Sequence, residues 1–215
     1  MMVYLRLCFT LLVLACMACS EQEAVLDNFE QHLCSLTTDA NGRATALLLD
    51  NGTYLRISNK VQTHVPNDTL RVLAYLVRQA DGSVRLGATR MATTLSVPTA
   101  AKLPPQDTPT MQVVTLWRSS HFINLRINVR THGEVPTFAL TRDTIQATPH
   151  GTQTATLHLY RMPSKALAAY THTHYLSIDL RPLAHILVAG QDSIALSVHT
   201  DSTTTPTHMR YVMVY

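Results

Sequence analysis

The chain has 215 residues, with 17 Lys and Arg against 14 Asp and Glu, a formal charge of +3 and 46% apolar side chains. A balance so near neutral excludes the basic field that nucleic-acid binding needs, and the apolar content is ample for one or two folded domains. Seven scattered glycines leave no phosphate-cradling loop and no Gly-x-Ser-x-Gly nucleophile elbow.

The first residues, MMVYLRLCFTLLVLACMACSEQE, form a signal peptide. Arg6 is the only charge before Glu21, and Leu7 to Ala15 is an apolar run broken by Thr10. That run is too short to span a bilayer of about 30 Å. Ala18-Cys19 has the form of a lipobox, so residues 1–18 are read as leader and Cys19 as the lipidated residue. Val13-Leu14-Ala15-Cys16 is a competing lipobox, which keeps Cys16 as the alternative. A multiply acylated cysteine anchors stably to a membrane. Loss of the leader removes Arg6 and leaves a charge of +2. With Cys19 acylated, Cys34 is the only mature thiol, so no disulfide framework is possible.

Residues 19–40 are read as a lipidated tether, with a short helical stretch around Val25 to Leu33. From Arg43 onward the hydrophobic period is two, the strand signature. Ala44 to Leu49 and Thr53 to Ser58 flank Asp50-Asn51-Gly52, and Thr69 to Gln79 and Val84 to Thr93 flank Asp81-Gly82. Both are hairpin signals. With a short strand at Leu95 to Val97, residues 41–100 suit a small OB-like barrel. Residues 98–110 contain four prolines and read as a linker.

Residues 108–215 read as an antiparallel β-sandwich. Met111 to Arg118 precedes the clearest strand, 121–130. There Ile123, Leu125, Ile127 and Val129 alternate with Asn124, Arg126, Asn128 and Arg130, which puts the first set inside and the second in water. Val135 to Leu140, Ala155/Leu157/Leu159, Leu176/Ile178/Leu180, Ile194/Leu196/Val198 and Arg210 to Tyr215 add strands. Ser164 to Tyr170 is the one short helix expected in this half.

The order of these features resembles that of the NigD-like lipoproteins of Bacteroidetes. The likeness is carried by the lipobox, Leu49-Asp50-Asn51-Gly52, the run Trp117 to Arg130, and Ser177-Ile178-Asp179-Leu180. It implies an N-terminal OB-type domain and a C-terminal β-sandwich anchored at the outer membrane. It also implies a bacteriocin-immunity role, with no catalytic residues to carry over. Ser20-Glu21-Gln22-Glu23 is similar to the surface-export tract of such lipoproteins.

Candidate chemistry is sparse. Among eleven histidines, His172 and His174 would share one side of a strand and could hold a metal. No His-Glu-x-x-His or Cys-x-x-Cys supports them, and outward polar positions are the simpler reading. Neither catalytic residues nor cofactors are expected. Asp68-Thr69-Leu70, Asp143-Thr144-Ile145, Asp192-Ser193-Ile194 and Asp201-Ser202-Thr203 resemble the O-glycosylation acceptor motif of exported Bacteroidetes proteins, although turn chemistry produces the same triplets. Tyr54 and Tyr75 could stack on a sugar but are expected in the barrel core. Trp117, the only tryptophan, is expected at an interface or in a core. Cys34 is expected to be a half-buried structural thiol. The expectation is therefore a membrane-anchored binding module for a protein or glycan ligand. Bacteriocin immunity, or an envelope hydrolase or metal-dependent enzyme, is the alternative.

Overall fold

The structure, a computed structural model, describes residues 29–98, 111–148, 150–163, 170–200 and 207–210. The expected leader, both lipobox cysteines, Ser202, all but the last residue of the helix expected over Ser164 to Tyr170, and most of the proline linker lie outside the described residues; Tyr170 itself is in a strand. The first five strands are β1 (Glu30–Thr38), β2 (Ala44–Leu49), β3 (Tyr54–Arg56), β4 (Thr69–Arg78) and β5 (Val84–Met91). They form one sheet in the order β3-β2-β1-β4-β5. A parallel bridge between Ile57 and Val84 joins its two edges and curls it into a small barrel. Bulges at Thr37/Thr38 and Tyr75/Leu76 supply the local bending that such closure needs. Cys34, Leu36, Leu47, Leu55, Val72, Leu76 and Leu86 fill the interior.

β1 corrects the tether and helix expected there. Val25, Leu26, Phe29 and Leu33 have helical spacing, yet Cys34, Leu36 and Thr38 are buried at every second position. β2 and β4 each present an edge to this segment, and pairing both edges outweighs a short exposed helix. Both expected hairpins form. Gly52 and Gly82 alone take positive φ, +86° and +79°. Leu49 N donates to Thr53 O, and Gln79 N to Ser83 O. Each loop therefore has three residues and ends on a left-handed glycine.

The remaining strands are β6 (Thr93–Ser96), β7 (Gln112–Ser119), β8 (Phe122–Thr131), β9 (Phe138–Arg142), β10 (Gln146–Ala147), β11 (Gln153–Arg161), β12 (Tyr170–Asp179), β13 (Ser193–Val198) and β14 (Thr207–Arg210). One sheet runs β6-β12-β8-β7. The other runs β10-β11-β13-β14, with β9 also on β11. Ile123, Leu125, Ile127, Leu176 and Ile178 from the first sheet meet Leu157, Leu159, Ile194 and Leu196 from the second in a continuous core. The fold is all-β, as expected. Two pairings, β6 with β12 and β11 with β13, are parallel rather than antiparallel. Parallel neighbours need a crossover connection, and β12, in the opposite sheet, lies on the path between β11 and β13. β6 falls within the expected barrel range of 41–100 yet hydrogen-bonds inside the second module.

Ile178 and Leu180 are core, and Pro182 sits in the first turn of a 3-10 helix over Arg181–Leu183. Asp179 accepts from Arg181 N, Nε and a terminal guanidinium nitrogen at 3.0, 3.0 and 2.7 Å. Burial pushes its carboxyl upward, but these hydrogen bonds outweigh burial and hold it below the usual range.

Candidate functional site

Gln31–Tyr215 form one unit, and a buried polar network joins barrel to sandwich within it. Arg71 of β4 is 5% exposed. Two of its guanidinium nitrogens donate to Asp50 Oδ1 and Oδ2, each at 2.5 Å. Its Nε donates to Ser177 Oγ at 3.1 Å, and it reaches Asn124 Oδ1 at 3.2 Å. Ser119 Oγ donates to the Asp50 carboxylate and Asn124 Nδ2 donates to Ser119 Oγ. Ser177 Oγ donates to Asn124 Oδ1 at 2.7 Å. The guanidinium also stacks 4.1 Å from the centre of the Phe122 ring. A buried cation is tolerated when it is paired and its donors are satisfied, and both conditions hold here. Asn124 and Ser177 are fully buried, so the side of β8 expected in water is covered at this point by the barrel.

Beside this network an open cleft of about 660 Å³ lies between the two modules. β1, β2 and β4 supply one wall through Gln31, Leu49, Asn51, Leu73 and Arg78. β7, β8 and β12 supply the other through Thr115, Trp117, Arg126 and Tyr175. Strand register sets this second wall. Thr115, Arg126 and Tyr175 stand in one row across three strands, and Trp117 pairs with Asn124 one row along. Period-two alternation puts both rows on the same side of the sheet. The size and the mixture of aromatic and polar groups suit a small ligand. Trp117 therefore lies at the interface, as expected, and half-exposed on the cleft wall.

The other candidates fall apart spatially. Tyr54 and Tyr75 are 68% and 37% exposed rather than in the barrel core, because their neighbours Leu55 and Leu76 take the inward positions. Cys34 is fully rather than half buried, and burial pushes its thiol up to about 12, which leaves it unreactive.

His172 and His174 do share a side of β12, with ring centres 4.8 Å apart. An Arg90 guanidinium nitrogen lies 3.0 Å from His172 Nδ1. Burial first, then His172, Arg90 and Arg161, pushes His174 down to about 4. Two histidines surrounded by cations are a poor metal site, and no third ligand joins them among the described residues.

Of the acceptor triplets, Thr69 and Thr144 are exposed. Ser193 Oγ is bonded to Thr154 Oγ1 at 2.8 Å. Its neighbour Asp192 is buried and accepts from Gln153 N and Val188 N at 2.7 and 2.6 Å. The residues that sequence reading missed are Asp50, Arg71 and Arg126. Asp50 was visible only as a turn former and Arg126 only as an outward cation, and Arg71 lay unmarked within the strand expected over Thr69 to Gln79.

No family model matches the chain, and no curated protein does. Several solved structures share its fold. A NigD-like immunity protein from Bacteroides caccae is 18% identical with a TM-score of 0.63, over 85% of this chain and 92% of that one. A candidate toxin-related protein from Parabacteroides distasonis is 14% identical with a TM-score of 0.64, over 86% and 94%. A candidate lipoprotein from Bacteroides fragilis is 15% identical with a TM-score of 0.54, over 86% and 100%. At such identities the likeness is one of fold, and it extends over both modules. The fold that the sequence motifs pointed to is thus the one these Bacteroidetes proteins adopt, and none of the three is described as an enzyme.

Proposed function

We propose that this chain is an exported lipoprotein of the cell envelope that binds a ligand, without catalysis, in the cleft between an OB-like barrel and a β-sandwich. The observation that carries this reading is the cleft itself. It is preformed, walled by Trp117 and Tyr175, and held open by two modules locked through Arg71. Continuing the ring as β1-β2-β3-β5-β4, with β3 and β5 in parallel contact, supports the OB-like description of a five-stranded closed barrel. Among the described residues the cleft has one carboxylate, Asp50; it is bound by Arg71 and Ser119, so it is not free to act as a general base. Anchoring rests on Cys19, with Cys16 as the alternative, and the Ser20 to Glu23 tract points the protein to the outer surface of the outer membrane.

Native mass spectrometry of the mature protein released gently from its own envelope tests the binding claim. A bound small molecule that is lost in Trp117→Ala is the expected result; bare protein in both samples would contradict it. Fatty-acid labelling that disappears in Cys19→Ser and persists in Cys16→Ser fixes the anchor, and protease treatment of intact cells fixes the side. The second reading, immunity toward a co-produced bacteriocin, is favoured by the fold shared with the B. caccae immunity protein. It expects deletion to sensitise the producing cell to its own toxin, with restoration by the plasmid-borne gene.

A further inference from the structure

Building on the cleft as a binding site, we propose that its ligand is a carboxylate-bearing sugar, with the carboxylate on Arg126 and the ring against Trp117. Three observations converge on this chemistry. Arg126 is half-buried in the cleft wall, and its Nε is shielded from solvent without a hydrogen-bond partner. A desolvated guanidinium donor without an acceptor is costly, and a carboxylate arriving through the cleft would offset that cost by pairing with the guanidinium where Arg126 lines the wall. Asp50, the only acidic residue lining the cleft among the described residues, is already held by two nitrogens of Arg71 and by Ser119. It cannot serve as the counter-ion of Arg126.

The third observation is the surroundings of the cation. Trp117 lies one row from Arg126 on the same side of the sheet, so a ring placed over the indole would bring a carboxylate substituent to the guanidinium. Thr115 flanks the position from the neighbouring strand, and Gln31 and Asn51 face it from the barrel. Gln31 donates through Nε2 to Tyr75 Oη at 3.3 Å, and Asn51 accepts through Oδ1 from Thr53 N at 3.0 Å. The carbonyl oxygen of the first and the amide nitrogen of the second are thereby left for hydroxyl groups. An aromatic face, amides and a hydroxyl around one arginine describe an acidic saccharide better than a simple anion or an apolar acid.

Trp117 is the only tryptophan in the chain, so its fluorescence reads the cleft directly. The mature protein is titrated with glucuronic acid, glucose and acetate at constant ionic strength. Glucuronic acid is expected to shift or quench Trp117 emission at least about 10-fold more tightly than either control. Arg126→Gln should weaken it by about 10- to 100-fold, as loss of a charge-assisted pair implies. Its thermal midpoint should not fall, since Nε has no partner to lose. Equal affinity for glucose and glucuronic acid, undiminished in Arg126→Gln, overturns the acidic ligand while leaving the cleft as a binding site. Acetate binding as tightly as glucuronic acid overturns the sugar. Silence of Trp117 toward all three overturns the proposal, and only an empty cleft in native mass spectrometry would remove the underlying reading as well.

Discussion

Replacing Arg71 by methionine removes the cation that ties the barrel to the sandwich while keeping a side chain of similar length. Its side chain is 3% exposed and that of Asp50 is 15% exposed. The substitution leaves a nearly buried carboxylate facing Ser119 alone, and deprives Ser177 and Asn124 of a donor. Breaking one side of a buried pair costs about 3–5 kcal/mol. Because Asp50 keeps some solvent contact, the lower end, about 3 kcal/mol, is expected here. In a folded part of this size that corresponds to a fall in Tm of roughly 6–12 °C. Asp50→Asn should cost a similar amount by stranding the guanidinium. The double variant should then lose less than the sum of the singles by at least about 1.5 kcal/mol. Urea unfolding of the wild type, both singles and the double gives this cycle directly. Single losses below about 1 kcal/mol that simply add would refute a coupled, buried lock, since such values belong to exposed pairs.

Four further outcomes follow from other parts of the molecule. Cys34 should resist thiol reagents at pH 8 in native protein and react stoichiometrically in denaturant; ready native labelling would contradict its burial. Asp192→Ala should cost about 2–4 kcal/mol in urea unfolding, because it strands two backbone donors, on Gln153 and Val188. His174 is held neutral to about 4, below its unfolded value of about 6.5. The unfolded state therefore takes up the proton first, and stability should fall as pH drops from about 6.5 toward 4. His174→Phe should flatten that slope, and an unchanged profile would count against the assignment. Peptide-level mass spectrometry of the native protein should show any added glycan at Thr69 or Thr144 and none at Ser193; unmodified peptides at both threonines would end that idea.

Much of the sandwich was legible because Ile123 to Val129 and Leu176 to Leu180 alternate cleanly, and one buried face permits only one register. β1 was not, because Val25 to Leu33 carries helical spacing and nothing local records that β2 and β4 both need a partner. The two parallel pairings were hidden for a related reason: period two is the same for either direction. Asn124 read as wet because alternation marks the outward side of a strand without saying whether a second module covers it. The Arg71 network joins residues as far as 106 positions apart, so no spacing rule could have found it. The motifs that carried the family resemblance were nonetheless parts of it. Asp50 lies in Leu49 to Gly52, Asn124 in the run from Trp117 to Arg130, and Ser177 in Ser177 to Leu180.

Hydrogen–deuterium exchange of the mature protein, with and without saccharides extracted from its own envelope, tests the cleft most directly. A ligand in the cleft should add protection on both walls together, in Gln31 to Leu33 and Leu49 to Asn51 and in Thr115 to Ser119 and Asn124 to Arg126. Protection confined to the outer barrel around Tyr54, or no change in any segment, would contradict it.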